Sequence, residues 1–302
     1  MSDRIVQIAE EPDWGSLRGK YLASSRYLAR NPSLILGLVL LGALAMFSGL
    51  GRFLIDVSAA APLSAPPSAP PSETLPLGSD PQGRNLLAVM IEGTWLTVRT
   101  GVIAGALGIA LGGALGFVSA YFGGLVDKII TWCVDVLLTV PAILFLVMIS
   151  AVVQTGLSSV GMALIIAALA WRRPARQIRS QMLVMRSSGY VDLAKLSGVG
   201  PYRIIFFEIA PNLLPFLVSS FVTAVSAAIL ASVGLEAMGL GPQNEPTLGM
   251  TIFWIMEFSA FLQGLWWWIL PPVAILIVLF VGLYLVNSGL DELANPRLRR
   301  RA

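Results

Sequence analysis

Residues Tyr190 to Asn212 read Tyr-Val-Asp-Leu-Ala-Lys-Leu-Ser-Gly-Val-Gly-Pro-Tyr-Arg-Ile-Ile-Phe-Phe-Glu-Ile-Ala-Pro-Asn, a charged island punctuated by Gly and Pro between two stretches too apolar for water. Ser188 stands where it can cap a short helix from Tyr190 to Ser197, and Gly198 can stop that helix in the left-handed conformation. Pro201 suits the first turn of a second helix running through Ile209. Pro211 and Pro215 would then bend the path into the following apolar run. Two short helices at a fixed angle make a knob that can fit a groove on a partner and carry displacement as a rigid body. The plainer alternative is a basic loop lying against a membrane.

Outward from the island, composition sets the class. Of 302 residues, 56% are hydrophobic and 12% charged, against about 25% charged in soluble domains. The chain therefore reads as a membrane protein. It contains no His, and Cys133 is its single cysteine, so intrachain disulfides and Cys/His zinc clusters are excluded. The net charge of +3 does not mark a nucleic-acid binder, because the basic residues flank apolar spans and form no basic domain of their own.

The apolar stretches are Leu34 to Leu50, Thr100 to Tyr121, Ile129 to Val153, Gly156 to Trp171, Leu213 to Val233 and Trp266 to Leu285. About 20 residues cross the hydrocarbon core, so the fourth stretch is short. With the N-terminus in the cytoplasm and all six crossing, only Arg52, Arg84 and Arg99 fall outside, which leaves 17 of the 20 Lys and Arg residues inside. Were the fourth stretch not to cross, the seven basic residues from Arg172 to Arg203 would be exported with their loop, so charge argues that it does. Both termini are then cytoplasmic. A signal peptide is the alternative for the first stretch, with Ala59-Ala60-Ala61 as its cleavage site. The long apolar run behind a charged leader favours a retained anchor.

Further signals lie between the spans. Ala59 to Ser72 is rich in Pro, Ala and Ser and reads as an extended linker. Pro76 to Asn85 is rich in turn formers. Gly101, Gly105, Gly108, Gly112 and Gly116 fall on one helix face, where a second helix can approach closely. Asp135 is an acid inside an apolar span, read as a hydrogen-bonding group between helices or as a pathway residue. Glu236 reads as lining an outer pathway or as solvated at the outer interface. Trp266-Trp267-Trp268 before Pro271-Pro272 reads as an interfacial belt, with Trp267 as a candidate for stacking on a sugar in transit.

The energy source lies elsewhere. Gly19-Lys20 is the only Gly-Lys pair, but Trp14 stands where a phosphate-binding loop needs its first Gly and Tyr21 replaces the Ser or Thr. An ion gradient usually leaves more charges at mid-membrane than this chain carries.

Asp192-Leu193-Ala194, three residues, Gly198, ten residues, then Ile209-Ala210-Pro211-Asn212 resembles the cytoplasmic coupling loop of ABC-importer permeases. Pro76-Leu77-Gly78-Ser79-Asp80, with Gly83-Arg84-Asn85, is similar to a signature of the dipeptide/oligopeptide/nickel branch. Tyr121-Phe122-Gly123-Gly124, Asp135 to Leu138 followed by Pro141, Gly239-Leu240-Gly241 and Asn295-Pro296-Arg297-Leu298 extend the likeness over nearly the whole chain. Departures are Leu193 where the family usually has Ala, Asp192 for Glu, Ala210 for Leu, Glu208 where a basic residue is common, and Ser232 at the family's Glu position.

The resemblance implies an all-α polytopic membrane protein with six transmembrane helices: a five-helix MetI-like core of the type I ABC importers after an N-terminal anchor. The expected division is a cytoplasmic segment 1–33, an anchor 34–55, an extracytoplasmic linker 56–97, a core 98–288 with its coupling loop at 172–212, and a cytoplasmic tail 289–302. Tyr190, Asp192, Ala194, Lys195, Gly198, Pro201, Arg203, Ile209 and Pro211 are the expected ATPase-coupling residues. The implied partners are a second homologous permease, two ATPase subunits that hold the ATP and Mg2+, and an extracytoplasmic solute-binding protein, in a bacterial or archaeal inner membrane. The chain itself is expected to be neither an enzyme nor a cofactor holder. Peptide import is the leading expectation; the alternatives are oligosaccharide import and a membrane scaffold that transports nothing.

Overall fold

Five small residues set the path of the longest helix and, with it, the centre of the molecule. The computed structural model describes residues 31–152, 157–200 and 203–294. Its helices are α1 (Pro32–Leu54), α2 (Leu86–Phe122), α3 (Gly124–Thr139), α4 (Ala142–Val152), α5 (Ser159–Ala170), α6 (Arg172–Arg186), α7 (Gly189–Leu196), α8 (Ala210–Ala237), α9 (Leu248–Glu257) and α10 (Trp266–Ala294). A 3-10 turn at Val57–Ala60 and a π-helical segment at Ile204–Ile209 complete them. Among the described residues the sole β feature is an isolated bridge between Ser79 and Asn85.

Along α2 the glycine seam packs against two partners in turn. A Cβ on Gly105 would stand 2.7 Å from the Val225 side chain of α8, and one on Gly116 would stand 2.8 Å from the Ala175 carbonyl of α6. Gly101 faces Ile229, while Gly108 and Gly112 face Ala170 and Trp171. Lipid supplies no hydrophobic drive between helices, so this closeness of backbones is what holds α2 to its neighbours. The anchor α1 uses the same device, with Gly37 against Val286 and Gly289 against Leu34.

Among the described residues four helices, α1, α2, α8 and α10, are long and apolar enough to cross a membrane, and α3 with α4 passes the same test as a pair bent by 81° at its break. The fourth apolar stretch folds as α5, whose 12 residues reach only about 18 Å. Its helical backbone nevertheless runs on: Trp171 keeps right-handed helical angles, φ −71° and ψ −21°, and passes directly into α6. By length and composition four of the described helices pass as spans, or five with the bent pair, and α5 is the apolar stretch that falls short of that test.

Two expected boundaries move. The second helix begins at Leu86, where Asn85 caps it by accepting from the Leu87 N–H at 3.0 Å, twelve residues before the expected core boundary at 98. The Pro-rich linker is not an extended spacer. Leu63 and Ala65 donate to the Gln82 and Gly83 carbonyls, Ser68 donates to Asp80, and Ser79 donates back to Ala69, all at 2.8 to 3.0 Å. Backbone pairing, which composition does not report, folds it onto the Pro76 to Asn85 segment. There Asp80, fully buried, accepts the N–H groups of Gln82 and Arg84 and holds the Arg84 guanidinium at 2.5 Å.

Candidate functional site

The island folds as a short helix with a sharply defined end. α7 finishes in a double hydrogen bond, Gly198 N–H to the Lys195 carbonyl at 3.0 Å and Val199 N–H to the Ala194 carbonyl at 3.1 Å, with Gly198 at φ +76°. This is a Schellman stop, and it needs a residue that tolerates positive φ. Ser188 occupies the position before the helix, but its hydroxyl turns back to the Met185 carbonyl and does not cap α7.

One side of the knob is rooted and the other is bare. Val191 and Ile209 are buried with Ile204, Leu213, Met182 and Ala120, so Ile209 is an anchor of the knob and no part of its outer surface. Tyr190, Asp192, Lys195 and Arg203 are exposed, with Lys195 donating to Asp192 at 3.0 Å, and Ala194 is half-buried. Leu193 and Leu196 stand out at 66% and 86% exposure, an apolar tip that none of the described residues covers. Pro201 lies outside the described residues. The expected second short helix is instead continuous with α8 through the π-helical Ile204–Ile209, whose widened turn closes with Ala210 N–H bonded to the Ile205 carbonyl. A wide turn there leaves room for the ring of Pro211, which would otherwise press on the preceding turn, and Pro215 follows inside the helix without ending it.

Behind the knob, α6 sets four of its five arginines against α2, α3 and α5. Arg179 grips Asp127 of α3 with both arms, at 2.5 and 2.6 Å, and Asp127 also accepts from Ser119 and Thr131. Arg186 donates to the Ala120 carbonyl at the end of α2 at 2.8 Å. Arg176 lies 3.6 Å from Asp135, both largely exposed. Arg172 is buried and donates to the Leu137 and Leu169 carbonyls. α6, which leads into α7 after two residues, is thus tied to α2, α3 and α5.

A cavity of about 340 Å³ opens between the α3–α4 break, the α5–α6 junction and α8. Its α8 wall is the small-residue row Ala224, Ala227, Ala228 and Ala231, with Ser220 and Thr223 nearby, and Arg172, Arg173 and Gln177 stand on the α6 side. Among the described residues no carboxylate lines it. The spacing of the alanines was a visible signal for a groove-facing helix, yet neither they nor Arg172 stood out in the sequence.

None of the three residues singled out as pathway or packing groups lines this cavity. Asp135 makes the interhelical ion pair with Arg176. Glu236 is neither solvated nor in an outer pathway: it is fully buried, and its two carboxylate oxygens accept from the Ser232 and Thr247 hydroxyls at 2.6 and 2.7 Å. The acid shifted by one helical turn reaches back to Ser232, so the two side chains share one place. Trp267 donates from Nε1 to the Ser79 carbonyl at 3.3 Å and packs on Gly78. Within that run Trp268 is fully buried, and only Trp266 is exposed as an interfacial belt requires.

Comparison with known proteins agrees with this architecture. Residues 86–300 match the family of binding-protein-dependent transport system inner membrane components. The chain is 30% identical over 225 residues to the dipeptide transport system permease protein DppC of Haemophilus influenzae, covering 74% of this chain and 75% of that protein. It is 29% identical over 224 residues to the oligopeptide transport system permease protein OppC of Mycobacterium tuberculosis, covering 74% and 76%. A third relative, the dipeptide permease protein DppC of Bacillus subtilis, is 27% identical over 275 residues, covering 91% and 85%. In fold, the chain resembles an inward-facing structure of the MetNI methionine ABC transporter, with a TM-score of 0.55 at 18% identity over 70% of this chain and 97% of that one. With its broken span, glycine-seamed long helix and rooted knob, the chain belongs to the inner-membrane permease components of binding-protein-dependent ABC transporters.

Proposed function

We propose that this chain is one permease subunit of an ATP-driven importer of dipeptides or oligopeptides, and that α7 is the element through which separate ATPase subunits move it. The supporting observation is the contrast within the knob: Val191 and Ile209 root it in the fold, while Leu193 and Leu196 are left bare beyond a rigid Schellman stop. The positive-inside distribution, with the short α5 counted as a sixth crossing, supports a cytoplasmic α7 and cytoplasmic termini, and an extracytoplasmic Asp80 segment on the side of a solute-binding protein. A second homologous permease completes the pathway, with the cavity beside α8 as this chain's share of it. ATP and Mg2+ belong to the ATPase partners.

Oligosaccharide import is the alternative raised by the Trp run before Pro-Pro, with Trp267 as the candidate for stacking on a sugar. Trp267 is engaged by the loop through its Nε1, and the peptide reading is the one carried by the names of the relatives. A scaffold role offers no use for a cavity walled by small residues.

The test is a single cysteine at Leu196 in a Cys133→Ser background, with a matching cysteine at Ser68 as control, expressed with candidate ABC ATPase subunits that carry a cysteine on their membrane-facing surface. A bismaleimide adduct to an ATPase from position 196 and none from position 68 is the expected result, together with ATP-dependent uptake of a labelled dipeptide into proteoliposomes. Adduct formation from position 68 alone, or uptake indifferent to ATP, would overturn the reading.

A further inference from the structure

The break between α3 and α4 has a missing hydrogen bond, and Arg172 supplies it. In a continuous helix the residue at 141 would donate its N–H to the Leu137 carbonyl four residues earlier. Pro141 has no N–H, and its ring presses on that same carbonyl. It also drives the preceding residue out of the helical region, and Val140 is extended accordingly, at φ −85° and ψ 129°. The outcome is the 81° bend, with helix resuming through Leu144 N–H to the Pro141 carbonyl. Inside a membrane span the freed carbonyls need donors from the protein itself. Thr139 turns its hydroxyl back onto the Val136 carbonyl at 2.6 Å. The Leu137 carbonyl receives Nη1 of Arg172, whose Nε holds the Leu169 carbonyl at the end of α5 at 2.8 Å. One buried guanidinium thus joins two helix ends that both present negative dipole, and it sits in the wall of the cavity together with Leu138, Pro141 and Ala170.

We infer that Arg172 is a positioning residue that pins the α3–α4 break and links movement of α6 to the bend of that span. The link is direct in the chain: Arg172 is the first residue of α6, and α7 follows α6 after two residues. A pull on α7 displaces the guanidinium, and the guanidinium carries the Leu137 carbonyl and so the hinge beside the cavity. The pinning stands on this geometry alone; its use in transport rests on the α7 coupling reading above.

The experiment measures the bend. Spin labels at Ile129 and Val152, both exposed on the two arms, report their separation by pulsed electron resonance in the Cys133→Ser chain, assembled with its ATPases in nanodiscs. The α4 arm of 11 residues is about 16 Å long. Relaxing the bend by a third would shift its far end by roughly 7 Å on that arm length. Arg172→Gln is expected to lengthen and broaden the distance distribution, and Arg172→Lys, which keeps charge but loses the planar fork, to do so partly. In a Pro141→Ala background the Ala N–H can serve Leu137, so Arg172→Gln is expected to change nothing further. Equal effects of Arg172→Gln in both backgrounds, or none in either, would overturn the pinning. Should Arg172→Gln prevent assembly, the Arg172→Lys and Pro141→Ala pair decides by the same comparison. ATP with vanadate is expected to shift the distance when Arg172 is present and to leave it fixed in Arg172→Gln. A wild-type distance indifferent to nucleotide would remove the coupling role while leaving the pinning intact.

Discussion

Both carboxylate oxygens of Asp127 face the guanidinium of Arg179, at 2.5 and 2.6 Å, across 52 residues of sequence. The pair sits at the Gly198 end of the bundle, where α2, α3 and α6 meet, and Ser119 of α2 completes the carboxylate's shell. It makes the three helices one unit directly behind the knob.

Removing either partner leaves a half-buried charge with lost hydrogen bonds. Arg179→Ala or Asp127→Ala is therefore expected to lower stability by about 1.5 to 3 kcal/mol, the range for hydrogen bonds to charged groups. The double variant should lose less than the sum of the singles, because neither charge is then stranded. Thermal unfolding of the purified chain in detergent measures all three; strict additivity would mean that the two side chains do not act on each other.

Glu236 offers a sharper contrast, since it is fully buried and both of its oxygens are satisfied by hydroxyls. Glu236→Ala strands the Ser232 and Thr247 hydroxyls and opens a void against Gly241, so a loss of about 2 to 4 kcal/mol is expected. Glu236→Gln keeps one acceptor and the volume, and should lose less than half as much. The order of unfolding midpoints, wild type above Gln above Ala, is the readout; Ala at the wild-type midpoint would show the carboxylate to be dispensable to packing.

The parts legible in the sequence were those with local causes. Apolar length marks α1, α2, α8 and α10, the glycine steps mark the α2 seam, and Gly198 marks the end of α7, because each depends on residues a turn or two apart. What was missed depends on partners far along the chain. Nothing in the neighbourhood of Asp127 announces Arg179, and nothing near Pro141 announces that Arg172 will answer its missing N–H. The linker failed for a related reason: its polar, Pro-rich side chains predict no core, whereas its order comes from backbone groups meeting the Asp80 segment. The expected second coupling helix merged with α8 because a π-turn relieved the strain that two prolines were expected to release as a bend.

The glycine seam predicts an asymmetry among substitutions that composition alone would treat alike. At Gly112 a Cβ would stand 2.8 Å from Pro174 Cβ and 2.9 Å from the Ala175 nitrogen, backbone and ring that cannot swing aside. Gly112→Val should cost about 1 to 3 kcal/mol as overpacking and separate α2 from α6. At Gly234, inside α8, a Cβ meets nothing within 4 Å, so Gly234→Ala should be neutral or gain up to about 1 kcal/mol from helix propensity. Unfolding midpoints of the two variants in the same detergent give the comparison, and equal losses at both sites would deny that close backbone approach is what the seam provides.

Gly198 separates conformational strain from collision. Its φ is +76°, yet a Cβ there would meet nothing within 4 Å, so a side chain has room but the wrong backbone. Asn tolerates the left-handed region, whereas a β-branched residue resists it, at a cost of about 1 to 3 kcal/mol. If the Schellman stop sets the angle of the knob, uptake should rank wild type, then Gly198→Asn, then Gly198→Ala, with Gly198→Val lowest. Abundance in the membrane should stay near wild type, because α7 lies outside the spans and the strain falls on the exposed tip at Leu193 and Leu196. The measurement pairs uptake of a labelled dipeptide with quantification of the inserted chain. A ranking by side-chain size, with Asn below Ala, would point to a crowded docking surface in place of backbone strain, and uptake by Gly198→Val at the wild-type rate would remove the stop from the coupling mechanism.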